Sequence, residues 1–267
     1  MEVFQCILTR NDCFQAGRKI IPKGVMVHST GVNNPRLSRY LGPDDGRLGV
    51  NSYGNHWNMP GLPVCVHGFI GRLADGTVAA YQSLPWDHRG WHCGRSGNDT
   101  HISFEICEDD GRDRAYFEAT RDLAIGLTAH LCGLYGLDPL APGVVVDHAE
   151  GHTLGIASNH SDVAHWWSPF GYTMDHFRRA VAQRIKEVKK MTEAEVQALL
   201  RRELGPRYRT LGDVTAPDYR RILEKLAAKG YLKGRGGEGD GLVLDLTESQ
   251  VRPLVILGRV LEKEEII

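Results

Sequence analysis

The sequence predicts an α/β domain of about 190 residues followed by a small, mainly helical one, and three observations carry that expectation. Short β-branched runs alternate with long stretches of helical periodicity. The apolar content of 42% and charged content of 24% are those of a soluble globular chain. The character of the chain also changes near Met191, after which neither histidine nor cysteine occurs.

Taken in order, KGVMVHSTG from Lys23 reads as a buried strand whose end presents His28. Residues 31–62 are rich in Gly, Asn, Asp and Pro and show no sustained period, so they are expected to form a long loop that walls a functional site. Strands are predicted over 64–70 and 77–82, with Asp75-Gly76 turning the chain between them. HISFEIC alternates, which puts Ile102, Phe104 and Ile106 on one face and Ser103, Glu105 and Cys107 on the other. Glu105 is therefore a mid-strand carboxylate, an unusual placement without a partner. Leu123, Leu127, Leu131 and Leu134 recur at helical spacing and predict a helix from Arg114 to Tyr135, stopped by Gly136. VVVDH at 144–148 reads as a second buried strand ending in a histidine, His148, followed by a Gly-rich loop. A helix from about Thr173 carries Phe177, Val181, Ile185 and Val188 on one face, and its basic KEVKK end suits the negative helix terminus.

Beyond Met191, a capping box at 192–195 opens a helical run to about Leu204. A second helix is predicted over 218–229 with Gly230 as its stop. After the Gly-rich turn comes an extended stretch, then a helix interrupted or bent at Pro253.

Charge narrows the function. With 32 Lys and Arg against 33 Asp and Glu, the chain lacks the basic surplus of a nucleic-acid binder or of a protein held on anionic membranes. No run of 18 apolar residues predicts a membrane span, and the first residues lack the pattern of a secretory signal. The six scattered cysteines form no CxxC pair and are expected to be reduced core residues, which suits a cytoplasmic origin.

All 12 histidines precede residue 177. Two of them, His28 and His148, end strand patterns, and neutral imidazoles at neighbouring strand ends can converge on one metal ion. The loop after His148 offers His152, His160, Asp162 and His165 for a third ligand. No HExxH pattern marks a metal helix.

Four segments then point to a family. VHSTG around His28, GWHCG around His92, ISFEICED around Glu105 and DHAEGHTLGIASNHSDVAHWW from Asp147 resemble the zinc-dependent N-acetylmuramoyl-L-alanine amidases of the phage-lysozyme and endolysin type. The resemblance spans about residues 20–185 and implies a central mixed β-sheet flanked by helices, as in phage lysozymes and peptidoglycan-recognition proteins. It also implies cleavage of the amide between N-acetylmuramic acid and L-alanine in peptidoglycan. Carried over position by position, it makes His28, His148 and Asp162 the ligands of one zinc ion. Glu105 becomes the strand carboxylate that works as acid and base, and His160 replaces a frequent lysine as the cationic or hydrogen-bonding catalytic group. His160 as ligand, with Asp162 behind it, is the alternative. Trp91 and His92 are candidates for substrate binding, the Trp by stacking on a sugar, against the alternative of a packed turn. His165, Trp166 and Trp167 are expected to anchor the metal loop.

The partner implied is bacterial peptidoglycan, with neither nucleic acid nor a membrane anchor. The tail from 191 to 267 is expected to bind cell wall or to make a homo-oligomer. A phage or prophage enzyme, cytoplasmic until host lysis or a holin pore releases it, is the biological setting implied. The reading from another class is a peptidoglycan-binding protein that keeps the cleft without turnover.

Overall fold

A computed structural model describes residues 2–189 and 207–267. The expected capping box at 192–195, the helical run to Leu204 and the boundary near Met191 lie outside the described residues. Internal contacts divide the chain into two compact units, Met1–Lys189 and Lys190–Ile267.

The first unit is built on a six-stranded mixed sheet. Its strands are β1 (Phe4–Gln5), β2 (Gly24–Ser29), β3 (Gly68–Arg72), β4 (Val78–Gln82), β5 (His101–Ile106) and β6 (Val145–Asp147), in spatial order β1-β4-β3-β5-β2-β6. Only β3 and β4 run antiparallel, as the Asp75-Gly76 hairpin requires. Gly76 sits at φ +88°, and Asp75 Oδ1 accepts the Thr77 N–H at 2.9 Å. The remaining pairs are parallel, with β3, β5, β2 and β6 adjacent and pointing the same way.

Alternation sorts the side chains. Val25, Val27, Ile102, Phe104, Ile106 and Val145 pack under α2 (Arg114–Tyr135) and α5 (Met174–Lys189), where Phe117, Leu127, Trp167, Phe177 and Val181 complete a dry core. His28 and Glu105 leave the opposite face. Gly136, at φ +66°, ends α2 as expected. Leu134 does not extend the buried stripe: it is 56% exposed, while the neighbouring Tyr135 packs against the core.

Four expectations need correction. The strand expected from residue 64 joins the sheet only at Gly68, because Cys65 exchanges backbone hydrogen bonds with Trp91 instead. Of residues 31–62, only Gly31 lines the cleft described below. Leu37, Tyr40, Leu41 and Leu48 fold down with Phe69 and Tyr81 into a second core on the other side of the sheet. His148 does not end a strand. Asp147 and Glu150 form a reciprocal capping box, so His148 is the first residue of α3 (His148–Thr153). The following loop also contains a further turn of helix, α4 (Ala164–Trp167).

All six cysteines are free, and all but the half-buried Cys6 are buried. No helix among the described residues is long and apolar enough to cross a membrane.

The second unit pairs two antiparallel strands, β7 (Arg207–Thr210) and β8 (Val243–Thr247), with two helices, α6 (Pro217–Ala228) and α7 (Glu248–Lys263). Ile222, Leu223 and Leu226 of α6 meet Val251 and Val255 of α7 in a small core. Gly258 allows the close approach, since a Cβ there would overlap Ile222. The helix carrying Pro253 is continuous rather than interrupted. Pro253 is the sixth residue of the helix, so the bond its N–H would have given the Ser249 carbonyl is missing.

Candidate metal centre and cleft

The carboxyl ends of parallel strands are where an open α/β sheet offers a crevice, and here β5, β2 and β6 end side by side. His28 and Glu105 are register partners on β2 and β5, so their side chains project together. Val27 is the register partner of Asp147, which places His148 next to His28. The segment after α3 returns to the same point: the His148 N–H donates to the Asp162 carbonyl at 3.1 Å, and the buried Val163, Trp166 and Trp167 hold that segment in the core.

The outcome is a compact triad. His28 Nδ1 lies 2.9 Å from Asp162 Oδ2, and His148 Nδ1 lies 3.3 Å from Asp162 Oδ1. One ligand atom from each of the three residues falls within 4.8 Å of the other two, the one such grouping of metal-binding side chains among the described residues. His160 stands one step back, with its Nδ1 turned to Ser158 Oγ at 3.1 Å and its ring 4.6 Å from that of His148.

Electrostatics suit a cation at this point. Burial alone would raise the Asp162 carboxyl, but the hydrogen bonds and charges of His148 and His28 outweigh it and hold it well below the ordinary carboxylate range. Burial pushes the His28 imidazole down, against the pull of Asp162, which favours the neutral form a metal requires. Two nitrogens and one ionised oxygen are a donor set zinc accepts. Ligands about 2.1 Å from a tetrahedral ion stand roughly 3.4 Å apart, close to the 2.9 and 3.3 Å that separate the Asp162 oxygens from the two imidazoles. The residues therefore fit the group.

Around the triad opens a cavity of about 560 Å³, lined among others by Ser29, Gly31, Trp91, His92, Glu105, His160 and His165. Several of its polar atoms are buried without a hydrogen-bond partner among the described residues: Glu105 Oε2, His92 Nε2 and Ser29 Oγ. Burial, with the negative charges of Asp162 and Glu108, pushes the Glu105 carboxyl well above its ordinary range. Trp91 stands at the rim, 41% exposed, with the Arg89 guanidinium 5.0 Å from its ring centre. His92 is turned inward, its Nδ1 3.0 Å from His28 Nε2.

The structure thus brings all seven sequence-selected positions to one cleft and sets Glu108 against two further residues that line it, Gly31 and His165. Glu108 is buried and accepts from the Gly31 N–H at 2.9 Å, and its Oε1 lies 3.0 Å from His165 Nε2. Trp166 and Trp167 are the anchor expected of them. His165 is not packed away with them: it lines the cleft at 40% side-chain exposure. No sequence spacing announces the Glu108–His165 pair, which forms across 57 residues of chain.

The profile of the N-acetylmuramoyl-L-alanine amidase family matches residues 17–166. No curated protein matches the sequence. Among solved structures, the chain is similar to the Staphylococcus aureus hydrolase AmiA in complex with its ligand, at 19% identity and a TM-score of 0.50, over 69% of this chain and 83% of that one. PlyL is similar at 19% identity and a TM-score of 0.47, over 67% and 97% of the two chains. A mutant endolysin from Bacillus subtilis gives 22%, 0.46, 68% and 99% for the same quantities. The AmiA likeness is one of fold.

Proposed function

The chain belongs to the N-acetylmuramoyl-L-alanine amidase family and is a peptidoglycan amidase, and from that premise we propose that the cleft at the ends of β5, β2 and β6 is its active site, with one zinc ion held by His28, His148 and Asp162. The observation that carries the reading is the approach of three deprotonatable donors within 4.8 Å of one another beside an unpaired, half-buried carboxylate.

Zinc bound there supplies Lewis acidity, making water a better nucleophile near neutral pH and polarising an amide carbonyl. The chain's own groups do the rest. Glu105 takes a proton from the attacking water as the new C–O bond forms. It then returns that proton to the alanine nitrogen as the C–N bond breaks. Its burial suits this exchange, since a raised pKa eases the step in which it holds the proton. His160, on the cleft wall, donates a hydrogen bond to the oxyanion of the tetrahedral intermediate. Trp91 offers the apolar face on which a sugar ring stacks, and His92 beside it completes the substrate wall. The geometry favours Asp162 over His160 as the third ligand, because the Asp162 carboxylate faces both histidines whereas His160 Nδ1 faces Ser158.

The second unit is assigned to holding the enzyme on the wall, which raises its effective concentration at an insoluble substrate. Self-association is the competing use, supported by the exposed Ile256, Leu257 and Val260 on α7. A phage or prophage lysin, released by host lysis or a holin pore, is the setting this reading favours.

Clearing of purified cell wall, measured with chelator and after zinc is added back, tests the proposal. Clearing should stop on metal removal and return with zinc. Wall binding without clearing under any metal condition would favour the non-catalytic reading.

A further inference from the structure

The two histidines that face Asp162 do so through the same ring atom, Nδ1, and in each ring the other nitrogen is already held. His28 Nε2 lies 3.0 Å from Nδ1 of His92. His148 Nε2 lies 3.2 Å from Oγ of Ser158, and that oxygen lies 3.1 Å from Nδ1 of His160. We propose that His92 and Ser158 are positioning residues of the metal site, which hold His28 and His148 in the tautomer whose Nδ1 lone pair is free. The inference rests on the metal reading above and extends it one layer outward.

Proton accounting supports it. A neutral imidazole has one N–H and one lone pair. With the Nδ1 lone pair of His28 committed to a metal, the ring proton sits on Nε2 and must donate, so His92 Nδ1 accepts. The His92 proton is then on Nε2, the buried atom that has no partner among the described residues. On the other side, His148 Nε2–H donates to Ser158 Oγ. The one hydroxyl hydrogen of Ser158 is thereby left for His160 Nδ1, which puts the His160 proton on Nε2. Were Ser158 to donate to His148 instead, the His148 proton would occupy Nδ1 and block ligation.

The two supports are themselves pinned. The fully buried Asn98 accepts at Oδ1 from the backbone N–H of His92 at 2.7 Å and of Cys93 at 3.1 Å. The Ser158 N–H donates to the Cys93 carbonyl at 2.8 Å, tying the segment that carries Ser158 to the one that carries His92. A side chain serving only to touch substrate needs neither the contact with His28 nor this clamp.

Zinc affinity of the full chain, measured by competition with a chromophoric chelator, gives the first readout. His92→Ala and Ser158→Ala should each bind zinc roughly 10–100-fold more weakly, the usual effect of losing an outer partner. His92→Asn, whose Oδ1 falls where Nδ1 stood and can accept the same proton, should recover most of the loss. Long-range nitrogen–proton NMR of the zinc-loaded wild type gives the second, and should find the ring protons of His28 and His148 on Nε2. Wild-type zinc affinity in both alanine variants, or Nδ1 protons on either ring, would overturn the inference. If an alanine variant does not fold, His92→Asn and the wild-type spectrum still decide. A folded wild-type chain that takes up no zinc would instead defeat the metal reading beneath it.

Discussion

Two cavities lie on either side of β6 and α3, and they treat polar groups in opposite ways. The cleft of about 560 Å³ leaves Glu105 Oε2, His92 Nε2 and Ser29 Oγ buried and unpaired. The other, about 430 Å³ and bordered by Leu140, Leu154, Glu150, Asp175 and Arg178, leaves none of its charges wanting. Arg178 forks onto both oxygens of Glu150 at 2.8 and 3.1 Å, reaches Asp175 at 2.6 Å and donates to the Val145 carbonyl at 3.1 Å. A buried polar atom without a partner costs about 1–3 kcal/mol; Asn98 Nδ2, Asp109 Oδ2, Thr128 Oγ1 and Trp167 Nε1 carry the same cost singly, and the cleft differs in gathering three such atoms around one cavity. The groove, fully paired, is structure: its Glu150 also caps the helix that begins with His148. Size alone would rank the two cavities as near equals.

Exchanging single groups should separate the two cavities. Glu105→Gln removes a proton carrier and keeps the shape, so turnover should fall roughly 10²–10⁴-fold with zinc content and melting temperature unchanged. Near-wild-type turnover would move Glu105 to the structural side of the comparison. Asp162→Ala should cost zinc more than the roughly 10–100-fold typical of an outer partner, and more than His160→Ala. The reverse order by metal analysis would make His160 the ligand.

His67 is the fully paired counterpart among the histidines. Nδ1 accepts from the Ser103 N–H at 3.0 Å, and Nε2 donates to the His88 carbonyl at 2.7 Å. Burial pushes its pKa down to about 4. The unfolded ring, near 6.5, therefore binds more protons between those values, so its contribution is present above about pH 6.5 and is lost as pH falls towards 4. The loss is about 3 kcal/mol in unfolding free energy, which His67→Gln should remove from the pH dependence. Equal pH slopes for the two proteins would refute this. The smallest effect expected is that of Arg178→Met. It should destabilise by about 1–2 kcal/mol, partly screened by solvent, with wall hydrolysis per folded molecule close to wild type. A collapse of turnover at unchanged stability would make the groove part of the site.

The sequence displayed most of the sheet's working edge. β2, β5 and α2 announce themselves by alternation and by 3.6-residue periodicity, because each buries one face against a single core. His28 and Glu105 followed from those strands directly. Asp162 and His160 were reached by family resemblance, since a loop that crosses back to the sheet carries no periodic signal. Two further features are legible in the sequence. Asp147-x-x-Glu150 is a capping box that marks His148 as a helix start, and the apolar Leu37, Tyr40, Leu41 and Leu48 mark residues 31–62 as the lid of a core. The Glu108–His165 pair and the inward turn of His92 depend on contacts between distant segments, which local pattern does not encode.

The central claim, a metal-assisted cut at one amide carried out in the polar cleft, meets its most direct test in mass spectrometry of digested peptidoglycan. Peptides with a new amino-terminal L-alanine are expected, absent after verified metal removal and restored by zinc. The same products at the same rate from the metal-free protein would contradict it.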